Sequence, residues 1–451
     1  MAFALLEGIR VLDLTMVFAG PVSTKILAEL GAEIIKIESI QRADTFTRAN
    51  VYPENIPGED NWNRGSNFHT LNAGKYGVSL NLGDERGREI FKRLVRMSNV
   101  VIENYSPRVM EHWHLGYEEL KKVKPDIIMA SLSGLGHYGP LRDFYMYVPG
   151  MEGMSGLTHN TGSPDRAPLL TGHAYGDWVG GVNATAALMA ALFYRQQTGK
   201  GQYIDISGRE AVACHVGDLI MDYTLNNRER SRVGNRSDNA APHGCYRCKG
   251  DDAWVNIVVE NDVQWKVFCQ ATGHPEWTTD RRFGTLQARK QNEDELDRMI
   301  EGWTGQLERF EVMDILQKAG VPSGVVLNMR DLHVNPHLIN RGFFQIIDHG
   351  KGVGKRPIAR QIPVKIDSSA GFTLKRAPRF GEDDEYVFGK LLEMSKAEME
   401  ELAGAQVIGG KPSFPKGRPT RTELIQQQGS GWFDPDYLSE LRRCFGDDIG
   451  R

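Results

Sequence analysis

An α/β fold with a parallel sheet, joined to a smaller α+β domain, is what this sequence predicts, and three observations predict it. Short apolar runs alternate with helical stretches from Ile9 to Ser131. A long helix rich in small residues then turns, through Thr198-Gly-Lys-Gly-Gln202, into another apolar run. From about Leu225 to Asn328 the texture changes to adjacent apolar runs followed by a block of helices.

In chain order, Ile9-Arg-Val-Leu-Asp-Leu14 reads as a strand and Gly20-Pro21 as a helix start, because proline fits the first helical turn. Glu33-Ile-Ile-Lys-Ile-Glu38 is the next strand, which completes a β-α-β unit. A helix from about Asp84 to Ser98 leads to strands at Val100-Val-Ile-Glu103 and Asp126-Ile-Ile-Met-Ala-Ser131. The helix from Asp177 to about Gln197 precedes a strand at Tyr203-Ile-Asp-Ile-Ser207. Crossovers of this length imply parallel strands and a Rossmann-like large domain. Ligands of such sheets sit at the carboxyl ends of the strands, so Phe18 to Pro21, Glu38 to Arg42, Asn104-Tyr105 and Ser133-Gly134 are expected to converge. No G-x-G-x-x-G follows the first strand, which leaves a dinucleotide site of the usual kind weakly supported.

Beyond it, Gly244-Cys-Tyr-Arg247 and Ala253-Trp-Val-Asn-Ile-Val-Val259 read as antiparallel strands, with helices at Val263 to Thr272, Asp294 to Thr304 and Phe310 to Ala319. The expected division is a large domain over 1–224, a small inserted α+β domain over 225–328, a return to the large domain over 329–410, and an extension over 411–451. The extension opens near Lys411 with Pro412, Pro415 and Pro419, and reads as an arm on a partner subunit or a loose tail.

The chain has 451 residues and a formal net charge of -4, without a long basic run. Neither nucleic acid nor an anionic membrane is implied as a partner, so any phosphate must be held locally. Met1 to Leu6 carries no basic segment before a sustained apolar stretch, and no uninterrupted apolar span reaches membrane length. A cytoplasmic protein is expected. Five scattered cysteines, an odd number, form no disulfide framework and suit a reducing compartment. Cys245-Tyr-Arg-Cys248 lacks the second ligand pair of a zinc finger, and no metal is expected.

Tyr175-Gly-Asp-Trp-Val-Gly-Gly181 places one carboxylate, Asp177, at the foot of the long helix, with no partner acid or metal ligand beside it. Asp is a favoured N-cap residue, and a helix start also stabilises anions through its unpaired N–H groups and dipole. These residues alone allow a cap or a nucleophile.

Taken together, several segments resemble the class III CoA-transferases, the formyl-CoA transferase and carnitine CoA-transferase family. They are Gly8-Ile-Arg-Val-Leu-Asp-Leu14, Ala19-Gly-Pro21, Leu30-Gly-Ala-Glu-Ile-Ile-Lys-Ile-Glu38, Asn72-Ala-Gly-Lys75, Val101-Ile-Glu-Asn-Tyr105, Ser131-Leu-Ser-Gly134, Thr198-Gly-Lys-Gly-Gln202, Gly320-Val-Pro322 and Asn335-Pro-His-Leu338. Each is weak singly; their order and spacing, over about residues 5 to 409, are specific.

The resemblance implies a two-domain subunit interlocked with its twin, as a homodimer or homologous heterodimer. It makes Asp177 the catalytic aspartate, which attacks an acyl-CoA thioester and becomes an aspartyl-CoA relay to the acceptor acid. Coenzyme A, as acyl-CoA, is the cofactor-like substrate, and no metal is implied. The positions matching CoA contacts are Phe18, Ala19, Asn72, Lys75, Asn104, Tyr105 and His112, with Lys75 the natural phosphate partner. Ser39 and His112 stand where relatives commonly place arginines, and Arg42, Arg48 or Arg108 are candidates to supply the charge.

In Tyr145-Met-Tyr-Val148, Tyr147 matches a family tyrosine, whereas Tyr145 and Val148 replace a lysine and a glutamate. An apolar wall disfavours an unpaired carboxylate, which implies a bulkier, aryl or branched, acyl group. Two alternatives remain. An α-methylacyl-CoA racemase needs a histidine base, and Tyr147, with an ordinary pKa of about 10, takes its place. A non-catalytic subunit of a hetero-oligomeric transferase is the other.

Overall fold

The computed structural model describes residues 4–49, 51–365, 374–413 and 436–451. The chain forms two compact units, one of residues 1–157, 171–218 and 334–451, the other of 158–170 and 219–333.

The first unit is organised by a six-stranded sheet, β1 (Arg10–Asp13), β2 (Glu33–Glu38), β3 (Tyr76–Ser79), β4 (Val100–Glu103), β5 (Ile128–Ser133) and β6 (Tyr203–Ser207). The order is β3-β2-β1-β4-β5-β6 and every pairing is parallel. The parallel α/β sheet is therefore as expected, with two differences. Strand β3 is added, and β5 reaches Ser133 rather than ending at Ser131. Tyr-Gly-Val-Ser is too short and too Gly-weakened to announce a strand; pairing with β2, such as Val78 opposite Ile37, holds it. After β3 the chain returns to the far side of β1, so strand order reverses between β1 and β4, and a crevice opens at their carboxyl ends.

Alternate residues of the strands feed two cores. Leu12, Ile35 and Val101 pack with Phe91 and Leu94 of the Glu85–Arg96 helix, while Val11, Ile34 and Ile102 pack with Leu27, Ala184 and Leu188. Both faces are thus covered, which explains why the strands read as near-continuous apolar runs. Leu27 lies on α1 (Ala19–Glu29), and Ala184 and Leu188 lie on α2 (Tyr175–Thr198). The two helices approach closely because Gly181 has no side chain; a Cβ there would sit 2.5 Å from the Ala19 carbonyl oxygen. Gly20 is constrained likewise, since its Cβ would meet Thr15 at 2.3 Å. The starts of α1 and α2 are thereby drawn together.

Strands β10 (Phe344–Asp348) and β11 (Lys355–Ala359) form an antiparallel hairpin in the same unit. Of the C-terminal extension, residues 436–451 pack on this hairpin of their own chain: Phe445 meets Phe344 edge-on at 5.7 Å, and Asp448 pairs with Lys355. Pro415 and Pro419 lie outside the described residues.

The second unit contains β7 (His243–Arg247), β8 (Trp254–Val258) and β9 (Ser323–Val325), all antiparallel. Helices Asp262–Ala271, Glu293–Thr304 and Arg309–Lys318 bury Trp265, Phe268, Leu296, Ile300 and Val312 beneath them. Among the described residues, no helix is long and apolar enough to cross a membrane, and no cluster of three His, Cys, Asp or Glu side chains offers a metal site.

Candidate active site

The loops after β1, β2, β4 and β5 enclose a cavity of about 1050 Å³ together with the start of α2. Ala19, Ser39 and Arg42, Asn104 and Tyr105, Ser133 and Gly134, and Asp177 all line it. The four chain segments expected at the strand ends are therefore brought to one place.

Polar side chains fasten these loops to one another. Asn104 bridges the reversal point of the sheet: its Oδ1 accepts from the Met16 N–H at 2.7 Å and its Nδ2 donates to the Met16 carbonyl at 2.8 Å. Val17, with φ of 65°, donates its N–H to Asp44 Oδ2 at 2.9 Å, which ties the β1 loop to the β2 loop. Beneath Asp44, Arg48 grips Glu38 with two nitrogens, at 2.9 and 2.5 Å, and both side chains are buried. Burial raises the Glu38 carboxyl, but the Arg48 guanidinium outweighs it and the net direction is down.

Asp177 lies in the first turn of α2, where Ala174 in the left-handed region opens the helix. Its own N–H bonds to the Ala174 carbonyl, so it is not the N-cap. Burial, with a smaller contribution from the Glu152 charge, raises its carboxyl to about 7. Glu152 is held nearby by the Thr171 N–H and hydroxyl, at 3.0 and 2.9 Å. Phe18 does not line the cavity; it packs between Phe46, which does, and Trp178, the residue after Asp177.

Three further expected contacts, Asn72, Lys75 and His112, are likewise absent from the cavity lining. Lys75 is wholly buried, with Nζ donating to Asp13 at 2.9 Å, Thr24 at 2.7 Å and Asn72 at 2.8 Å. Asn72 is spent on this cluster, and neither residue lines the cavity. Lys75 is thus a counter-ion to Asp13 in place of the expected phosphate contact, because its charge is already satisfied inside. Burial lowers it to about 8, against the attraction of Asp13. His112 is exposed and does not line the cavity, although Val109 of the same short helix and the next residue, Trp113, do. Among the arginines considered, Arg42 lines the cavity, Arg48 is committed to Glu38, and Arg108 pairs on the surface with Asp143 at 2.6 Å.

Sequence reasoning missed Arg142, the second cation of the cavity wall. It shares a segment with the lining residues Phe144, Tyr145, Met146 and Tyr147, and the only signal was that proximity. Tyr145 and Tyr147 remain 90% and 76% exposed, so they form an open rim rather than a packed wall. No histidine is among the described residues that line the cavity.

Residues 6–384 match the model of CoA-transferase family III. The chain belongs to that family. The family enzymes use CoA thioesters, and the chain is accordingly a family III CoA-transferase. It is 32% identical over 403 residues to the succinyl-CoA–D-citramalate CoA-transferase of Chloroflexus aurantiacus, covering 89% of this chain and 98% of that one. It is 30% identical to the succinyl-CoA:glutarate CoA-transferase of Mus musculus, covering 89% and 90%. Among solved structures, a CAIB/BAIF family protein from Brucella suis matches with a TM-score of 0.78 and 31% identity, over 87% of this chain and 100% of that one.

Proposed function

We propose that the protein transfers CoA from an acyl-CoA donor to a carboxylic acid through an Asp177-bound intermediate. The observation that carries this reading is the position of Asp177, facing the cavity where the strand ends converge and where a helix start favours anions. One carboxylate oxygen attacks the thioester carbon, the C–S bond breaks, and CoA thiolate leaves a mixed anhydride. Thiolate then attacks the aspartyl carbonyl, which expels the donor acid and leaves an aspartyl-CoA thioester. The acceptor carboxylate repeats both steps in reverse. No histidine among the described lining residues is available as the second base of a racemase, which supports transfer over α-proton exchange.

Phe144, Tyr145, Met146 and Tyr147 support a bulky, aryl or branched, acyl group. Arg142 on the same segment favours a second reading, an acid with a further carboxylate, which accords with the succinyl, citramalate and glutarate named for the relatives. CoA contacts fall on Ala19, Asn104, Tyr105 and Arg42 in this reading, with assembly as a homodimer or homologous heterodimer. The free thiols of all five cysteines support a reducing, cytoplasmic setting.

The test incubates the pure protein with a panel of succinyl-, glutaryl- and aryl-acyl-CoAs and searches peptides for a hydroxylamine-sensitive adduct. An adduct on Asp177 is expected, and the thioester that forms it fastest names the donor class. Deuterium exchange at the α-carbon without any adduct would establish a racemase instead; neither signal would point to a non-catalytic subunit.

A further inference from the structure

Glu103 ends β4 directly before Asn104 and Tyr105, is 1% exposed, and does not line the cavity. Its Oε2 accepts the Tyr105 N–H at 2.8 Å, which closes the turn that carries both lining residues. Because Asn104 in turn grips Met16, this one carboxyl anchors the corner where β1 and β4 part. The other oxygen, Oε1, is buried with no hydrogen-bond partner among the described residues. His137 Nε2, buried and likewise without a partner, is 3.8 Å from it.

We propose that Glu103 is a positioning residue for acyl-CoA, holding the Asn104–Tyr105 corner in its receptive shape, and that its protonated form is the one that favours the ligand. The proposal rests on the reading of the cavity as a CoA site. The groups that face Glu103 are Tyr105 on its own loop, Tyr203 and Asp205 on β6, and His137 after β5; His137 itself faces Glu111, Asp205 and Arg142. None of these is a cation that neutralises an ionised Glu103. Burial lifts its carboxyl to about 7, opposed by Ser131 and the Tyr105 N–H and reinforced by Asp205. Burial also pushes the neighbouring His137 down, despite Asp205 and Glu111, so the imidazole stays neutral. An ionised Glu103 is therefore an unpaired charge beneath a site for a polyanion, whereas a protonated one still accepts from Tyr105 and presents an O–H towards His137. By linkage, CoA binding draws a proton onto this carboxyl.

The experiment titrates S-ethyl-CoA, which cannot transfer, into the Asp177→Asn protein and into Asp177→Asn/Glu103→Gln, from pH 6 to 8.5, in buffers of differing ionisation enthalpy. The Asp177→Asn background removes the carboxyl in the cavity wall that is raised to about 7, and Asp384, raised likewise, is common to both proteins. Glutamine keeps an acceptor for Tyr105 but cannot ionise. The parent is expected to take up a proton on binding near pH 7.5 and to lose about fivefold more affinity across the range than the glutamine variant. Asp177→Asn/Glu103→Ala, with no acceptor for Tyr105, should bind weakly at every pH. Equal proton uptake and parallel pH curves in parent and glutamine variant would overturn the proposal, as would full low-pH affinity in the alanine variant. Absence of S-ethyl-CoA binding at any pH would overturn the CoA reading of the cavity, and this inference with it.

Discussion

Lys75 Nζ sits 2.9 Å from Asp13 Oδ2, and neither side chain has any exposed surface. Asp13 also accepts from Thr15 and Thr24, so the pair forms the hub of a polar cluster under the β1 loop, with Lys36 donating to the Thr15 carbonyl at 2.6 Å. Although burial works the other way, the cations Lys75 and Lys36 hold the Asp13 carboxyl well below the usual range.

Removing one partner of such a pair leaves a buried charge uncompensated. Lys75→Met is expected to lower unfolding stability by roughly 3 kcal/mol in denaturant titration, with Lys36 limiting the loss. A weakened affinity for CoA in a fully stable Lys75→Met protein would contradict the buried role.

Asp177→Asn should lower turnover by about a thousandfold or more while leaving the unfolding transition in place, because the helix start is kept. Since only the ionised carboxyl attacks, kcat/KM should rise with pH through about 7, well above the ordinary carboxylate range. Glu152→Gln removes the neighbouring charge and should move that inflection downward. A pH profile flat from 5 to 8 would refute the assignment.

Asn104→Ala deletes both bonds to Met16 at the reversal point of the sheet. The expected result is a rise in KM for acyl-CoA of about tenfold, equivalent to one or two hydrogen bonds, with a smaller change in kcat. Asn104→Asp keeps the acceptor for the Met16 N–H and should recover part of the loss; identical kinetics for the two variants would sink the argument.

His69 and His349 face each other inside the first unit, Nδ1 to Nδ1 at 3.2 Å. Burial, with the partner imidazole and nearby arginines, lowers His69 to about 3; burial and Arg356 lower His349 to about 4. The unfolded chain therefore binds more protons than the folded one between pH 4 and 6.5, and the pair makes stability rise with pH in that window. The carboxyls of Asp177, Glu103 and Asp384, raised to about 7 chiefly by burial, slope the other way. The informative quantity is thus a difference: His349→Gln should make the slope of unfolding free energy against pH more negative over this window, by on the order of 2 kcal/mol in total. An unchanged slope would show that the histidines do not titrate as a buried pair.

Gly181→Val drives a branched side chain into the Ala19 carbonyl and Val22. A loss of about 1–3 kcal/mol in stability is expected, together with a weaker CoA site because the start of α1 must move.

The repeated apolar runs made the parallel sheet legible, since strands covered on both faces have no polar side to interrupt the pattern. The meeting of Ala19, Arg42, Asn104 and Ser133 was legible for a related reason: strand ends are landmarks in a sequence. What the sequence could not reveal is where a charged side chain spends its charge. Lys75 looks like a free cation until Asp13, on a strand far earlier in the chain, is seen to take it. Arg142 hides for the opposite reason, because no local periodicity marks a loop residue that reaches a cavity. Strand β3 depends on its neighbour β2 for its existence, and tertiary pairing leaves little trace in four residues.

The cavity wall takes its positive charge from Arg42 and Arg142, and its described lining includes neither lysine nor cysteine. A guanidinium stays protonated and is a poor nucleophile, whereas an amine or thiol would compete for any activated acyl group. A thioester bound there meets a single good acceptor atom type, the carboxylate oxygen. On the proposed reading the chamber would resist its own reagent: its described lining offers an acyl donor no amine or thiol to acylate permanently.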